Sequence, residues 1–380
     1  MAVGIPLLEL AGEPYEMGRQ HGHLGREPIK HNFKVYFRRF ERWIDLPRRE
    51  VLRRARSYLE VIEDQYPAYA EAMHGVADGA ECSLLDIAVL NVRYELMYSE
   101  FSRMELQLSE ATVDHPYGCT AFAVMPEASD NGHLLMGQNW DWIPQVAGLF
   151  LKIEGPDGLR VLCFTEAGIV GGKIGLNSAG LGLAVNGLVS DSDDWSHLGK
   201  PFHVRCWEIL NSRTLEDATH KAVDGPSSCS ANFLLGQAAG RSQGRVVDLE
   251  TSPNGVCSLR PQKGLLAHTN HFFDPGSADV HEPQEERQDS MHRCERMEKL
   301  LRRATEGGSK LDITAVQTIL RDHEGHPDSI CRHPSASFPE EAQYQTVTSV
   351  ILDLHAKKLW TAQSPPCQSS YRALSLRKGS

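Results

Sequence analysis

Near residue 115 the chain changes its hydrophobic period, and that switch limits the folds open to it more than any other feature. Before it, apolar residues recur at three- and four-residue steps: Ile29, Phe33, Tyr36, Phe37 and Phe40 in one stretch, then Val51, Leu52, Ala55, Leu59 and Ile62. Such spacing lays an apolar stripe along a helix. Pro47 and Pro67 separate these helices, and a further helix is predicted over 84–98, carrying Asn91, Arg93 and Glu95 on an otherwise apolar element. After residue 118 come short apolar runs with turn residues between them. The runs 121–125 and 134–140 flank Asp130-Asn131-Gly132, which predicts a tight hairpin because Asn-Gly tolerates positive φ. The runs 149–153 and 159–164 flank Pro156-Asp157-Gly158 in the same way. Helices follow at 201–210 and 215–223, strands at 231–235, 245–249 and 264–268, helices at 290–304 and 312–322, and strands at 344–354 and 358–362. The opening MAVGIPLLELAG reads as a first strand, 168–175 as turns, and the polar stretch 284–289 as a surface loop. This order predicts an α+β fold, two antiparallel sheets covered by helices on both outer faces.

The 380 residues suffice for one large or two modest domains, and 41% hydrophobic with 23% charged residues is an ordinary globular balance. A formal charge of -11 argues against a nucleic-acid partner, which needs clustered cations to neutralise phosphates. Arg38-Arg39 and Arg302-Arg303 lie among acidic and apolar neighbours and read as solvated helix faces. The N-terminus lacks a basic n-region and carries Glu9, so it fails as a secretory signal. No apolar run approaches the ~20 residues of a membrane helix. Arg377-Lys378-Gly379-Ser380 does not match the peroxisomal S-K-L address. A cytoplasmic protein without a membrane partner is the expectation. The nine cysteines are scattered, odd in number and without a C-x-x-C pair, which predicts neither a disulfide framework nor a zinc site. His323-Glu324-Gly325-His326 fails as H-E-x-x-H because Pro327 stands where the second histidine belongs, so no metal is expected. Lys173 is followed by Ile174, which breaks a phosphate-loop register, and no G-x-S-x-G elbow occurs.

In Tyr117-Gly118-Cys119-Thr120-Ala121-Phe122, a glycine precedes a cysteine at the start of the first strand after the helices. Addition of the Cys119 thiol to the Gly118 carbonyl would shift the peptide to a thioester, and hydrolysis would free the α-amino group of Cys119. That amine, with a reference pKa of about 7.7 to 8.0, can act as base for its own thiol. From spacing alone, a buried core cysteine after a glycine remains the better reading. Asp141, in Gly137-Gln138-Asn139-Trp140-Asp141, ends the strand paired with the cysteine strand, where its carboxylate can hold a free ammonium. A turn or cap aspartate is the alternative. The stretch 175–181 leads through a strand to Asn186, and His268-Thr269-Asn270-His271 offers a second amide. A carboxamide at a strand end can serve an oxyanion, though each asparagine alone reads as a turn former. Trp140 and Trp142 either line a pocket or simply pack.

These motifs in order, with Ser329-Ile330-Cys331-Arg332 closing the series, resemble the acyl-coenzyme A:6-aminopenicillanic acid acyltransferase (isopenicillin N acyltransferase, peptidase C45-like) family. They are similar, more distantly, to the penicillin V acylase and bile salt hydrolase branch of the cysteine N-terminal nucleophile hydrolases. Residues 12–18 with His21-Gly22, and Leu90-Asn91-Val92-Arg93-Tyr94-Glu95, look like the acyltransferase prosegment, so the resemblance spans nearly the whole chain. It implies a four-layer αββα N-terminal nucleophile hydrolase sandwich, self-cleavage between Gly118 and Cys119, and a heterodimer of segments 1–118 and 119–380. It also implies that Cys119 is nucleophile, Asp141 its amine-orienting partner, and Asn270 and Asn186 oxyanion donors. Arg332 resembles the arginine of the active-site wall, able to meet a carboxylate bidentately, and Ser230 is a weaker substrate-side match. The activity implied is acyl transfer to an amine, such as a β-lactam nucleus or amino acid, or hydrolysis of an N-acyl amide. No cofactor is implied beyond acyl-coenzyme A as a possible acyl donor. An unprocessed, non-catalytic relative is the remaining alternative. Bile salt hydrolases carry arginine where this chain has Gln138, which sides with the acyltransferase branch, and the missing S-K-L points away from a penicillin pathway.

Overall fold

The computed structural model describes residues 4–107, 118–280 and 287–376. The first part holds the short strand β1 (Leu7–Ala11) and helices α1 (Pro14–Leu24), α2 (Arg26–Arg42), α3 (Arg48–Gln65), α4 (Pro67–Ala80), α5 (Leu84–Asn91) and α6 (Arg93–Gln107). Strands β2 (Gly118–Val124), β3 (Leu135–Trp142), β4 (Gly148–Glu154), β5 (Arg160–Glu166), β6 (Ile174–Asn177) and β7 (Leu181–Gly187) follow. Next come α7 (Phe202–Asn211), α8 (Leu215–Val223), β8 (Ala231–Ala239), β9 (Gln243–Thr251), β10 (Val256–Leu259) and β11 (Leu265–His268). Helices α9 (Gln288–Ala304) and α10 (Ile313–Ile319) precede β12 (Gln345–Asp353), β13 (Lys358–Gln363) and β14 (Arg372–Ser375).

An eight-stranded sheet in the order β1-β4-β5-β6-β7-β8-β9-β10 packs on a six-stranded sheet in the order β11-β2-β3-β12-β13-β14. Alternation along β2 shows the layering: Ala121 and Ala123 face the core between the sheets, while Phe122 and Val124 meet Met297, Leu301, Val316 and Leu320 of the α9–α10 layer. The N-terminal helices with α7 and α8 cover the other sheet, giving the four-layer αββα sandwich. Gln138 ties the sheets together, its Nε2 donating to the Val185 carbonyl (3.0 Å) and its Oε1 accepting from the Val185 N–H (2.7 Å). That use of both ends of the amide explains a glutamine buried on a central strand.

Three expectations need correction. The sheets are not wholly antiparallel: β1 pairs with β4 in parallel, because the chain returns to β4 only after the helical layer. The turn at Asp130-Asn131-Gly132 is not a tight hairpin. The connection between β2 and β3 spans 125–134, drawn outward by pairing with the segment before α10, where the Leu311 N–H donates to Ala128 and the Asp130 N–H to Leu311. The helix expected over 84–98 is two helices broken at Val92, where Asn91 turns its Nδ2 onto the Ile87 and Gly168 carbonyls and competes with the helical ladder. Of the predicted loop 284–289, residues 284–286 lie outside the described residues, and Gln288 and Asp289 are not loop but the first residues of α9, where an acidic side chain favours the helix start. Tyr117 and Arg377 to Ser380 also lie outside them.

Candidate active site

Register builds the site. In the β2–β3 pair Gly118 stands opposite Asp141 and Cys119 opposite Trp140. Side chains alternate, so the Cys119 thiol points into the space between the sheets with Trp140, whereas Asp141 and the Cβ position of Gly118 share the face toward α9. A methyl placed on Gly118 would lie 2.6 Å from Arg332 Nη1 and 3.2 Å from both Arg293 Nη2 and Asp141 Oδ2. Two guanidiniums and a carboxylate thus converge beside Gly118, and a side chain there would displace the Arg332 guanidinium.

Asp141 is fully buried. Its Oδ1 accepts from the Thr346 hydroxyl at 2.6 Å, while its Oδ2 has no hydrogen-bond partner among the described residues. Burial raises its pKa to about 7 against the pull of Arg293 and Arg332. The Cys119 N–H donates to Asn270 Oδ1 at 2.7 Å. The Cys119 carbonyl accepts from Arg293 Nη1 at 2.9 Å and from Asn186 Nδ2 at 3.2 Å. Asn270 Nδ2 donates to the Gly187 carbonyl at 3.0 Å. In the intact chain both asparagine amides therefore hold backbone around the cysteine. Burial, then the Asp141 charge, pushes the Cys119 thiol up to about 12, so the thiol is neutral.

The cavity at Cys119 measures about 20 Å³ and is lined by Trp140, Asp141, Trp142, Asn270, Arg93 and Tyr98, among others. That is space for roughly one water molecule. Its wall on the α6 side is a stack of rings, Tyr98 on Tyr94 (centroids 3.8 Å apart) on Phe202 (4.1 Å). Trp140 lines the cavity and also packs, lying 3.7 Å beneath the Lys173 ammonium. Arg332 faces Gly118 and is held by Asp328, whose Oδ1 accepts from its Nε at 3.0 Å. Ser230 is not brought to this cavity: it is fully buried and donates its hydroxyl to Asp193 Oδ1 at 2.6 Å.

Several residues of the site carry no motif. Arg293 is fully buried and bonds Cys119, Thr120 and Asn270. It lies on the buried stripe of α9 with Ser290, Cys294, Met297 and Leu301, a position that hints at burial but not at a partner. Behind Trp140 and Trp142, the buried Glu166 accepts from Arg93, Lys173 and Tyr36. Burial lowers Lys173 to about 7 against the pull of Glu166. Glu95 accepts from the Phe202 N–H at 2.6 Å and so ties α6 to the start of α7, while Asn91 accepts from the Val170 N–H at 2.9 Å and fastens the helical layer to the loop after β5.

A model of the family described as acyl-coenzyme A:6-aminopenicillanic acid acyl-transferase matches residues 128–366. The chain is 28% identical over 363 residues to the acyl-coenzyme A:6-aminopenicillanic-acid-acyltransferase 40 kDa form of Emericella nidulans, an alignment covering 91% of this chain and 89% of that protein. Among solved structures, it is similar to a variant of conjugated bile acid hydrolase from Clostridium perfringens (14% identity, 68% of this chain, 92% of that one, TM-score 0.46). It is also similar to penicillin V acylase from Agrobacterium tumefaciens (15% identity, 68% and 86%, TM-score 0.45). Among the described residues no helix is long and apolar enough to cross a membrane.

Proposed function

The chain belongs to the acyl-coenzyme A:6-aminopenicillanic acid acyl-transferase family, and from that premise we propose that it cuts itself before Cys119 and then transfers acyl groups through that residue. Acyl transfer or amide hydrolysis is the chemistry of the family. The observation that carries the finer reading is Asp141 Oδ2, a buried carboxylate oxygen without a hydrogen-bond partner among the described residues, beside the one residue whose departure would create a cation there. Cleavage turns the Cys119 N–H, already held by Asn270, into an ammonium with donors to spare for that oxygen.

In maturation the Cys119 sulfur adds to the Gly118 carbonyl, the C–N bond breaks with its nitrogen taking the thiol proton, and water hydrolyses the thioester to a Gly118 carboxylate and a free thiol. In turnover the neutral amine takes the thiol proton, the sulfur adds to the donor's carbonyl, and the protonated amine passes that proton to the leaving group. The donor is a small-molecule amide or thioester, acyl-coenzyme A included. An acceptor amine, such as an amino acid or β-lactam nucleus, then attacks the acyl-thioester, giving a new amide and restoring the thiol. Where water attacks instead, the enzyme is an amidohydrolase. A thiol pushed to about 12 supports the need for a base at the same residue.

Intact-mass measurement tests cleavage: fragments of 118 and 262 residues are expected, held together as a heterodimer. A single full-length species that is still active would overturn the mechanism. Cys119→Ala should stay uncut and inactive. Incubating an acyl donor with and without 6-aminopenicillanic acid or amino acids separates the two acceptors, and acid as the sole product under every condition would sink the transferase reading.

A further inference from the structure

We propose that His323, Cys331, His333 and Cys367 form a structural zinc site that fixes the segment carrying Arg332. One ligand atom from each lies within 4.8 Å of all the others. His333 Nε2 is the hub, 3.1 Å from His323 Nε2, 3.7 Å from Cys331 Sγ and 3.5 Å from Cys367 Sγ. Zinc bonds of about 2.0–2.1 Å to nitrogen and 2.3 Å to sulfur, set tetrahedrally, place ligand atoms about 3.3 Å apart for two nitrogens and about 3.6 Å apart for nitrogen and sulfur. The three separations from His333 Nε2 match those edges, and the other three pairs lie within 4.8 Å. Hydrogen bonding does not explain the convergence, because one ring nitrogen carries one proton or one lone pair and cannot satisfy three partners.

The surroundings hold the ligands in place. The Cys331 N–H donates to the Asp322 carbonyl (3.0 Å) and the His333 N–H to the Pro327 carbonyl (3.0 Å), which shapes the 323–333 loop. Arg321 reaches across to the turn bearing Cys367, with Nε donating to the Pro366 carbonyl (2.9 Å) and Nη2 to the Ser369 carbonyl (2.8 Å). Cys331 is buried, the hub histidine and Cys367 are half-buried and His323 is exposed, so an ion has a path in. Two cysteines and two histidines complete the tetrahedron without an open position, the arrangement of a structural rather than a hydrolytic zinc. Binding releases the two thiol protons. Sequence spacing hides the site because Cys367 lies far along the chain from the other three. Arg332 sits between two ligands, so the ion would set the guanidinium that faces Gly118.

The test uses protein produced with zinc supplied, reduced and dialysed, and counts zinc by elemental mass spectrometry. One zinc per chain is expected, lost in Cys331→Ser and in Cys367→Ser but kept in Cys119→Ala. Replacement of zinc by Co²⁺ in the unmutated protein should give visible tetrahedral bands and a near-ultraviolet thiolate-to-metal band, a readout that needs no variant to fold. Zinc kept in Cys331→Ser and lost in Cys119→Ala would place the ion at the other cysteine and overturn the proposal. So would folded, reduced protein that takes up neither ion, or a Cys331–Cys367 disulfide found by peptide mapping of protein that has not been reduced.

Discussion

At the residue scale the site turns on one position without a side chain. Gly118→Ala would put a methyl 2.6 Å from Arg332 Nη1, so the variant should keep its fold and self-cleave at least ~10-fold more slowly, read as the full-length fraction over time by intact mass. Asp141 gives a pH-dependent prediction. Its folded pKa, about 7, exceeds the reference of 3.8, so the folded chain holds a proton that the unfolded chain releases, and ionising Asp141 costs stability as pH rises from about 4 to about 7. In an uncut Cys119→Ala background, Asp141→Asn removes that cost. Its stability relative to the parent should therefore climb by a few kcal/mol across that window and level off above it, measured by denaturant unfolding at several pH values. The approach of Asp141 to Cys119 was legible in the sequence because strand pairing brings Gly118 opposite Asp141. Cys119 and Asn270 stood out only through the ordered motifs of the family resemblance, since spacing alone reads them as a core cysteine and a turn former. Arg293, Lys173 and Glu166 were not legible, because a charged residue on a stripe or strand reads as solvent-facing until its partner, distant in sequence, is known.

Among the elements, the crossing of α1 and α4 is the tightest. Gly18 and Gly22 face Gly75 and Gly79, and a Cβ on Gly75 would fall on the carbonyl oxygen of Tyr15. Gly75→Ala gains at most about 1 kcal/mol of helix propensity, while overpacking against backbone costs about 1–3 kcal/mol or more. The variant should be destabilised, seen as a fall in Tm, despite adding a helix former. Periodicity found α2, α3, α8 and α9 because their stripes face one layer each. It missed α1, whose packing face is built of glycines, and placed one helix where two lie, because Asn91 acts through a side-chain contact to Gly168 that no local pattern records. The chemistry of the turn at 130–132 was read correctly as a turn, with Gly132 at φ +69, yet its breadth depended on Leu311.

For the whole molecule, the αββα layering followed from the order of periods along the chain, whereas the parallel β1–β4 pairing did not, since nothing local sets which edge a first strand joins. That pairing means the segment before Gly118 supplies a strand to one sheet and a helical wall to the cavity at Cys119, so the proposed cleavage would sever one bond and leave those contacts in place. The cavity of about 20 Å³ has a consequence for any probe of the cysteine. An alkylating reagent is larger than a water molecule, so it reaches Cys119 only when a wall of that cavity moves, the Tyr94–Tyr98–Phe202 stack being one such wall, and its rate becomes a clock for that motion. Tyr98→Ala should therefore speed labelling of Cys119 by ~10-fold or more in uncut protein, as followed by peptide mass spectrometry.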